Sequence, residues 1–168
     1  MPFIYATIDE RIRQLPFYMA TIGYDWPQEA IKRPDGFPDY QWLHSLSGKG
    51  TLSIGGKTWE IGPGEGIFLL PNEAHEYRAL EGGWTTDWIS FGGFAITRML
   101  EFAGLTSSGP YQLSDLWRLK VIIREVYASA HDDSVIAYQN SSLLVYELLL
   151  TLRTALDRGE LLLHYQPI

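Results

Sequence analysis

Few residues in this chain can do covalent or metal chemistry. It has four His and no Cys, which excludes disulfides, iron–sulfur clusters, Cys-based zinc sites and a Cys nucleophile together. His44 and His75 fall in the Gly- and Pro-rich first part of the chain. Two His without a convergent carboxylate fall short of the three protein ligands that a catalytic metal usually needs, so no metal and no cofactor is expected. Gly48-Lys49-Gly50-Thr51 lacks the spacing of a phosphate-binding loop, and no nucleophile–base pair stands out. What remains is a set of aromatic and hydrogen-bonding residues at alternate positions. They are Tyr40, Trp42, His44 and Leu46; then His75, Tyr77 and Ala79; then Trp84, Thr86, Trp88 and Ser90. Ring faces with a few polar groups make up a small-molecule pocket. The same pattern also suits an ordinary core whose polar tips are satisfied.

Alternation of this kind requires strands, because side chains of one parity share a face of a sheet. Five of the six Trp lie between Trp26 and Trp88, and most Gly and Pro precede residue 110. Strands are predicted over 17–24, 40–47, 51–54, 57–61, 67–70, 75–79 and 84–91. A loop is predicted over 31–39, where Arg33-Pro34-Asp35-Gly36 and Pro38 occur. Gly55-Gly56 marks a tight hairpin, Gly62-Pro63-Gly64 a turn, and Gly82-Gly83 the lead into 84–91. Short strands at this spacing predict a small barrel or jelly roll.

The rest of the chain reads as helix. A short helix over 94–104 stops at Gly104, and 107–110 is a loop. Ser114 or Asp115 caps a helix through about Ala130, and Ser134 caps a longer one over 135–157 that ends at Gly159. The apolar stripe of this last helix is wider than one packing partner needs. Val145 and Leu149 are expected to face inward, and Leu143, Tyr146 and Leu150 to form a homodimer interface. The other possibility is that the barrel and the preceding helix cover the whole stripe. A net charge of −7 over 168 residues opposes contact with a phosphate backbone. No membrane-length apolar stretch and no signal peptide are read, so a cytoplasmic location with no membrane partner is expected.

The order of motifs then identifies a resemblance. Arg33-Pro34-x-Gly36, Gly48-x-Gly50, Gly55-Gly56, Gly62-Pro63-Gly64-Glu65, Leu70-Pro71, His75-x-Tyr77 and Trp84-x-x-x-Trp88-x-x-Phe91-x-Gly93 follow one another. From about residue 17 onward the chain resembles the N-terminal effector-binding and dimerisation domain of AraC-family transcriptional regulators. The resemblance implies a mainly β fold with C-terminal helices: a cupin-like (double-stranded β-helix or jelly-roll) barrel followed by a helical dimerisation segment. It implies residues 1–16 as an arm over the barrel mouth, 17–93 as the barrel, 94–158 as the dimerisation region, and 159–168 as the start of a linker. That linker would lead to a helix-turn-helix DNA-binding domain missing from this chain, the only route to DNA. The implied partner is a small-molecule effector, frequently a sugar. Arg33 falls on the arginine that contacts the effector in the arabinose-type regulator, and Tyr77 and Trp88 on its pocket Tyr and Trp. Thr86 stands where that regulator has a His, and Trp42, His44 and His75 complete the candidate ligand-binding set. The first cupin strand reads Tyr40-Gln41-Trp42 in place of a metal-binding H-x-H. The alternative is a stand-alone cupin enzyme, isomerase- or epimerase-like, acting on a small sugar.

Overall fold

The computed structural model describes residues 3–164, with side chains through residue 156. The strands are β1 (Phe3–Tyr5), β2 (Tyr18–Pro27), β3 (Ile31–Arg33), β4 (Tyr40–Ile54), β5 (Lys57–Ile61), β6 (Glu65–Leu69), β7 (His75–Gly92) and β8 (Gly109–Gln112). The helices are α1 (Glu10–Arg13), α2 (Ile96–Ala103), α3 (Trp117–Ser129) and α4 (Val135–His164). The strands make one antiparallel sheet in the order β1-β2-β7-β4-β6-β8, with β3 also on β7 and β5 also on β4. This is a cupin-like fold: a β-barrel with C-terminal helices.

Two long strands carry the barrel where four short ones are predicted. β4 runs unbroken through 40–54 and β7 through 75–92. The intervening glycines bend the strands instead of ending them, with register shifts between Ser45/Ser47 and Gly48/Gly50. Gly48 shows why. It has φ +71°, and a Cβ placed there would lie 2.1 Å from the carbonyl oxygen of Gly83 on the neighbouring strand. Only glycine meets both demands. Gly48→Ala is therefore expected to cost about 1–3 kcal/mol from backbone strain alone, and more from the contact. A urea titration reads this as a lower midpoint, and an unchanged midpoint contradicts the reading.

Other expectations shift for similar reasons. Ile31–Arg33 is a strand and not part of the loop, because its backbone pairs with β7 and places Arg33 opposite His75. Pro34 and Gly36 then turn the chain. Gly109–Gln112 is likewise a strand, paired with β6. The sheet thus draws in segments outside 17–93 at both ends.

Among the described residues, twenty buried apolar ones fill the space between the barrel's outer face and the helices. Trp42, Phe68, Ile89 and Phe91 meet Leu119, Ile122, Ile123 and Val126 of α3 and Val145, Leu148, Leu149 and Leu152 of α4. Each such side chain contributes about 1.5–3 kcal/mol when fully buried. A second cluster, including Leu43, Leu52, Ile67, Tyr77 and Trp84, lies inside the barrel. Ser134 Oγ caps α4 by accepting from the Ala137 N–H at 3.1 Å. Asp115 supports the start of α3 through the Trp117 N–H at 2.9 Å, while Ser114 bonds the Ala155 carbonyl. Gly104 closes α2 as expected.

Helix α4 departs from the reading in two ways. It continues through Gly159 to His164, since one glycine in a long helix costs only about 1 kcal/mol. The linker expected over 159–168 is therefore helical as far as His164, and residues 165–168 lie outside the described part. Its segment Val135–Leu156 is also long and apolar enough to cross a membrane by length and composition, contrary to the expectation that no apolar stretch reaches that length. Here one face of that segment is packed against the barrel and α3.

Candidate functional site

The barrel encloses a cavity of about 190 Å³. Arg33 of β3, Gln41 of β4 and Tyr77 and Trp88 of β7 line it, as do Phe3 and Tyr5 of β1. The N-terminal segment is thus fixed by pairing β1 on β2 and by a run of rings. Phe3 meets Tyr5 and Trp26 edge-on at 5.5 and 5.3 Å, and Trp26 meets Trp88 edge-on at 6.2 Å. Trp88 itself rests on Gly23, where a Cβ would come within 2.7 Å of the indole. The absence of a side chain at Gly23 sets the position of that ring.

Arg33 is the cation of this wall. Its Nη1 donates to Gln41 Oε1 at 3.0 Å and faces His75 Nε2 at 3.4 Å, and its guanidinium lies 4.6 Å over the Phe37 ring. His75 Nδ1 donates to the Glu73 carbonyl at 2.9 Å, which leaves Nε2 as the acceptor toward Arg33. The His75 ring stacks on Tyr77 at 5.8 Å. Burial lowers the His75 pKa below its ordinary value, and the Arg33 charge adds to this against the bond to the Glu73 carbonyl. His75 is therefore neutral at pH 7. Burial raises the Tyr77 phenol, against the pull of Arg33.

The remaining candidates sit around this wall or away from it. Thr86 is fully buried and donates to Gln28 Oε1 at 2.9 Å, so it supports a cavity-lining residue from behind. Trp42 borders the cavity, but its indole belongs to the layer between barrel and helices. His44 lies in that layer and not on the cavity. Trp42 Nε1 donates to His44 Nδ1 at 3.0 Å, which puts the His44 proton on Nε2, and Nε2 donates to Asp87 Oδ2 at 3.1 Å. Arg124 of α3 donates to the same oxygen at 3.1 Å and to Asp25 at 2.9 Å, and the Asp25 N–H donates to Asp87 Oδ1. A continuous polar chain therefore runs from the cavity wall to α3. His44 and His75 are not brought together, and among the described residues no group of three His, Cys, Asp or Glu could hold a metal ion.

Asp87 carries a pH dependence. Burial alone would raise its pKa, but the bonds from His44 and the Asp25 N–H and the charge of Arg124 outweigh burial and hold it below 3.8. A depressed carboxylate adds stability above its unfolded pKa and loses it as pH falls through the folded value. His75, also depressed, adds an earlier loss below its ordinary 6.5. Stability should thus decline in two stages, below about pH 6.5 and again below about pH 4. Denaturant midpoints from pH 8 to 3 check this. Asp87→Asn should flatten the acid stage, and an unchanged acid stage in that variant contradicts the assignment.

Sequence reading passed over Gln41, Gln28 and Phe37 as cavity residues. Gln41 has the parity opposite to Trp42, and the even face of β4 proves to be the one against the helices: Tyr40 stacks on Phe68 and Phe91. Charge could have found it, because Arg33 needs a polar partner. The β1 rings were reached only as part of the 1–16 arm that the family resemblance implies, since by themselves they show no more than a partly apolar N-terminus.

A cupin-type barrel with a cavity and two packed helices defines the class: a small-molecule-binding β-barrel domain. A family model, the AraC-like ligand binding domain, matches residues 17–149, and the chain belongs to that family. Among solved structures, apo ToxT from Vibrio cholerae is similar, with TM-score 0.52 and 10% identity over 86% of this chain and 55% of that one. The chain thus spans about half the length of ToxT. A cupin superfamily protein from Desulfitobacterium hafniense aligns over 52% of this chain and 73% of its own, with 9% identity and TM-score 0.37. A protein of unknown function from Rhizobium leguminosarum aligns over 45% and 80%, with 22% identity and TM-score 0.36. No curated protein matches the chain in sequence.

Proposed function

We propose that this chain is the ligand-sensing part of a transcription regulator. It binds a small-molecule effector in the barrel cavity, dimerises through α4, and acts on DNA through a domain beyond this chain. The observation that carries the reading is a cavity lined by a cation with no carboxylate partner among the described residues, a phenol, an indole and two rings of the N-terminal strand. The sugar implied by the family resemblance fits the wall in outline. Trp88 offers an apolar face to the C–H side of a ring, and Arg33 and Tyr77 offer hydrogen bonds. The reading is one of binding and not of catalysis: the polar groups at the cavity hold each other, with no nucleophile and base paired among them.

The chain Trp42–His44–Asp87–Arg124 supports a regulatory role, because it joins the cavity wall to the helix that packs on α4. A ligand shifts such a system only through different affinities for its two arrangements. A cytoplasmic location follows from this role.

A thermal-shift screen of sugars and sugar derivatives tests the reading. A ligand at 100 times its Kd should add about 2.7 kcal/mol of stability, and Trp88→Ala should abolish that gain. A ligand that stabilises the Arg33→Ala, Trp88→Ala double variant as much as the wild type contradicts the placement.

A further inference from the structure

Among the described residues, the charge on Arg33 has no counter-ion. No ion pair joins it to any carboxylate among the described residues. Its neighbours are the amide of Gln41, the neutral ring of His75, the Phe37 face and Tyr77. Gln41 and His75 both engage Nη1, which leaves the Nε and Nη2 edge without a carboxylate. A guanidinium edge of this kind matches two carboxylate oxygens in a fork. Glu29 also borders the cavity but is exposed, where solvent screens its charge.

Several of the other polar groups at the cavity are already committed. The Thr21 hydroxyl bonds Ser90 at 2.6 Å, Gln41 Oε1 accepts from Arg33, and the Gln28 amide bonds Thr86 and the Glu29 carbonyl. The remaining wall is apolar, with Ile31, Leu43, Ile67 and Leu69 beside Trp88. A neutral polyol placed there would leave the part-buried Arg33 charge without a counter-ion, which a carboxylate would supply. Size narrows the occupant further: a cavity of roughly 150 Å³ accepts one benzene ring, and this one measures about 190 Å³.

We propose that the ligand of this cavity carries a carboxylate on a single six-membered ring, and that Arg33 binds that carboxylate. The inference rests on the ligand-sensing reading above and names the chemistry of its effector. Two sources share it, a compact aromatic acid and a sugar acid.

Isothermal titration of the whole chain with four probes tests the proposal: benzoate, benzyl alcohol, galacturonate and galactose. At least one acid should bind ten-fold or more tightly than its neutral counterpart. Arg33→Gln should remove that preference, and Trp88→Ala should weaken both members of the pair. Preference for benzoate identifies the aromatic acid, and preference for galacturonate the sugar acid. The comparison of acid with neutral probe is made on the wild type, so it stands even where a variant folds poorly. A neutral probe that binds as tightly as its acid, and loses binding in Trp88→Ala, overturns the carboxylate and leaves the ligand-sensing reading intact. No binding by any probe, or binding that Trp88→Ala and Arg33→Gln leave unchanged, overturns both.

Discussion

Asp87→Ala is expected to destabilise the domain by about 3–5 kcal/mol, the cost of breaking a buried pair by deleting one member. Asp87 and His44 are both fully buried, and Asp87 accepts from three groups at once. Removal leaves His44 Nε2–H without an acceptor in a site that water does not reach. It also leaves Arg124 with only the exposed Asp25 to pair with. The hydrogen bonds cannot be remade, because strands β4 and β7 hold His44 and residue 87 opposite each other in register. Asp87→Asn keeps one oxygen acceptor and should lose less. A urea titration at fixed protein concentration separates the cases. A loss under 1 kcal/mol for Asp87→Ala would mean that the polar chain does not hold the helices to the barrel.

The second large effect concerns assembly. Leu143→Glu with Leu150→Glu is expected to convert a homodimer into a folded monomer. Ile136 and Leu143 are each 68% exposed, Tyr146 41% and Leu150 37%. Residues 136, 143 and 150 stand seven apart and so line one stripe of α4. The inward side is already filled by Val145, Leu148, Leu149 and Leu152, each fully buried. Tyr146 is half committed, since it stacks on Phe17 at 5.4 Å. Phe102 of α2 adds 53% of its surface beside the stripe, with Arg153 over its ring. Burying each of these side chains contributes up to about 1.5–3 kcal/mol, and a two-fold axis lets one patch cover itself. Light scattering at tens of micromolar reads the outcome. A monomeric wild type rejects the dimer, and a double variant that stays dimeric rejects this face.

The sequence was most informative where one rule acted alone. The Gly55-Gly56 hairpin, the caps at Ser134 and Gly104, and the inward positions Val145 and Leu149 follow from local chemistry and 3.6-residue periodicity. Strand continuity was not legible, because a glycine pair such as Gly82-Gly83 reads alike as a turn or as a bulge. Which it becomes depends on a neighbour more than thirty residues away: Gly48 lies against Gly83 only once β4 and β7 are paired. Parity showed the same limit. It groups Trp42 with His44 correctly but does not say which side holds the cavity. Their face turned out to be the one against α3, so His44 serves the join between layers while Arg33, Tyr77 and Trp88 meet at the cavity. Tyr77 and Trp88 already belonged to the alternating aromatic set, whereas Arg33 was reached through the family resemblance, since nothing in the spacing brings residue 33 to residues 77 and 88.

A crystal structure of the chain with the compound that gives the largest thermal shift tests the central claim most directly. Ligand density is expected inside the barrel, against the Trp88 ring, within hydrogen-bond distance of Arg33 and beside Phe3 and Tyr5. An unoccupied barrel with the ligand bound between α3 and α4, or on the outer surface, would contradict it.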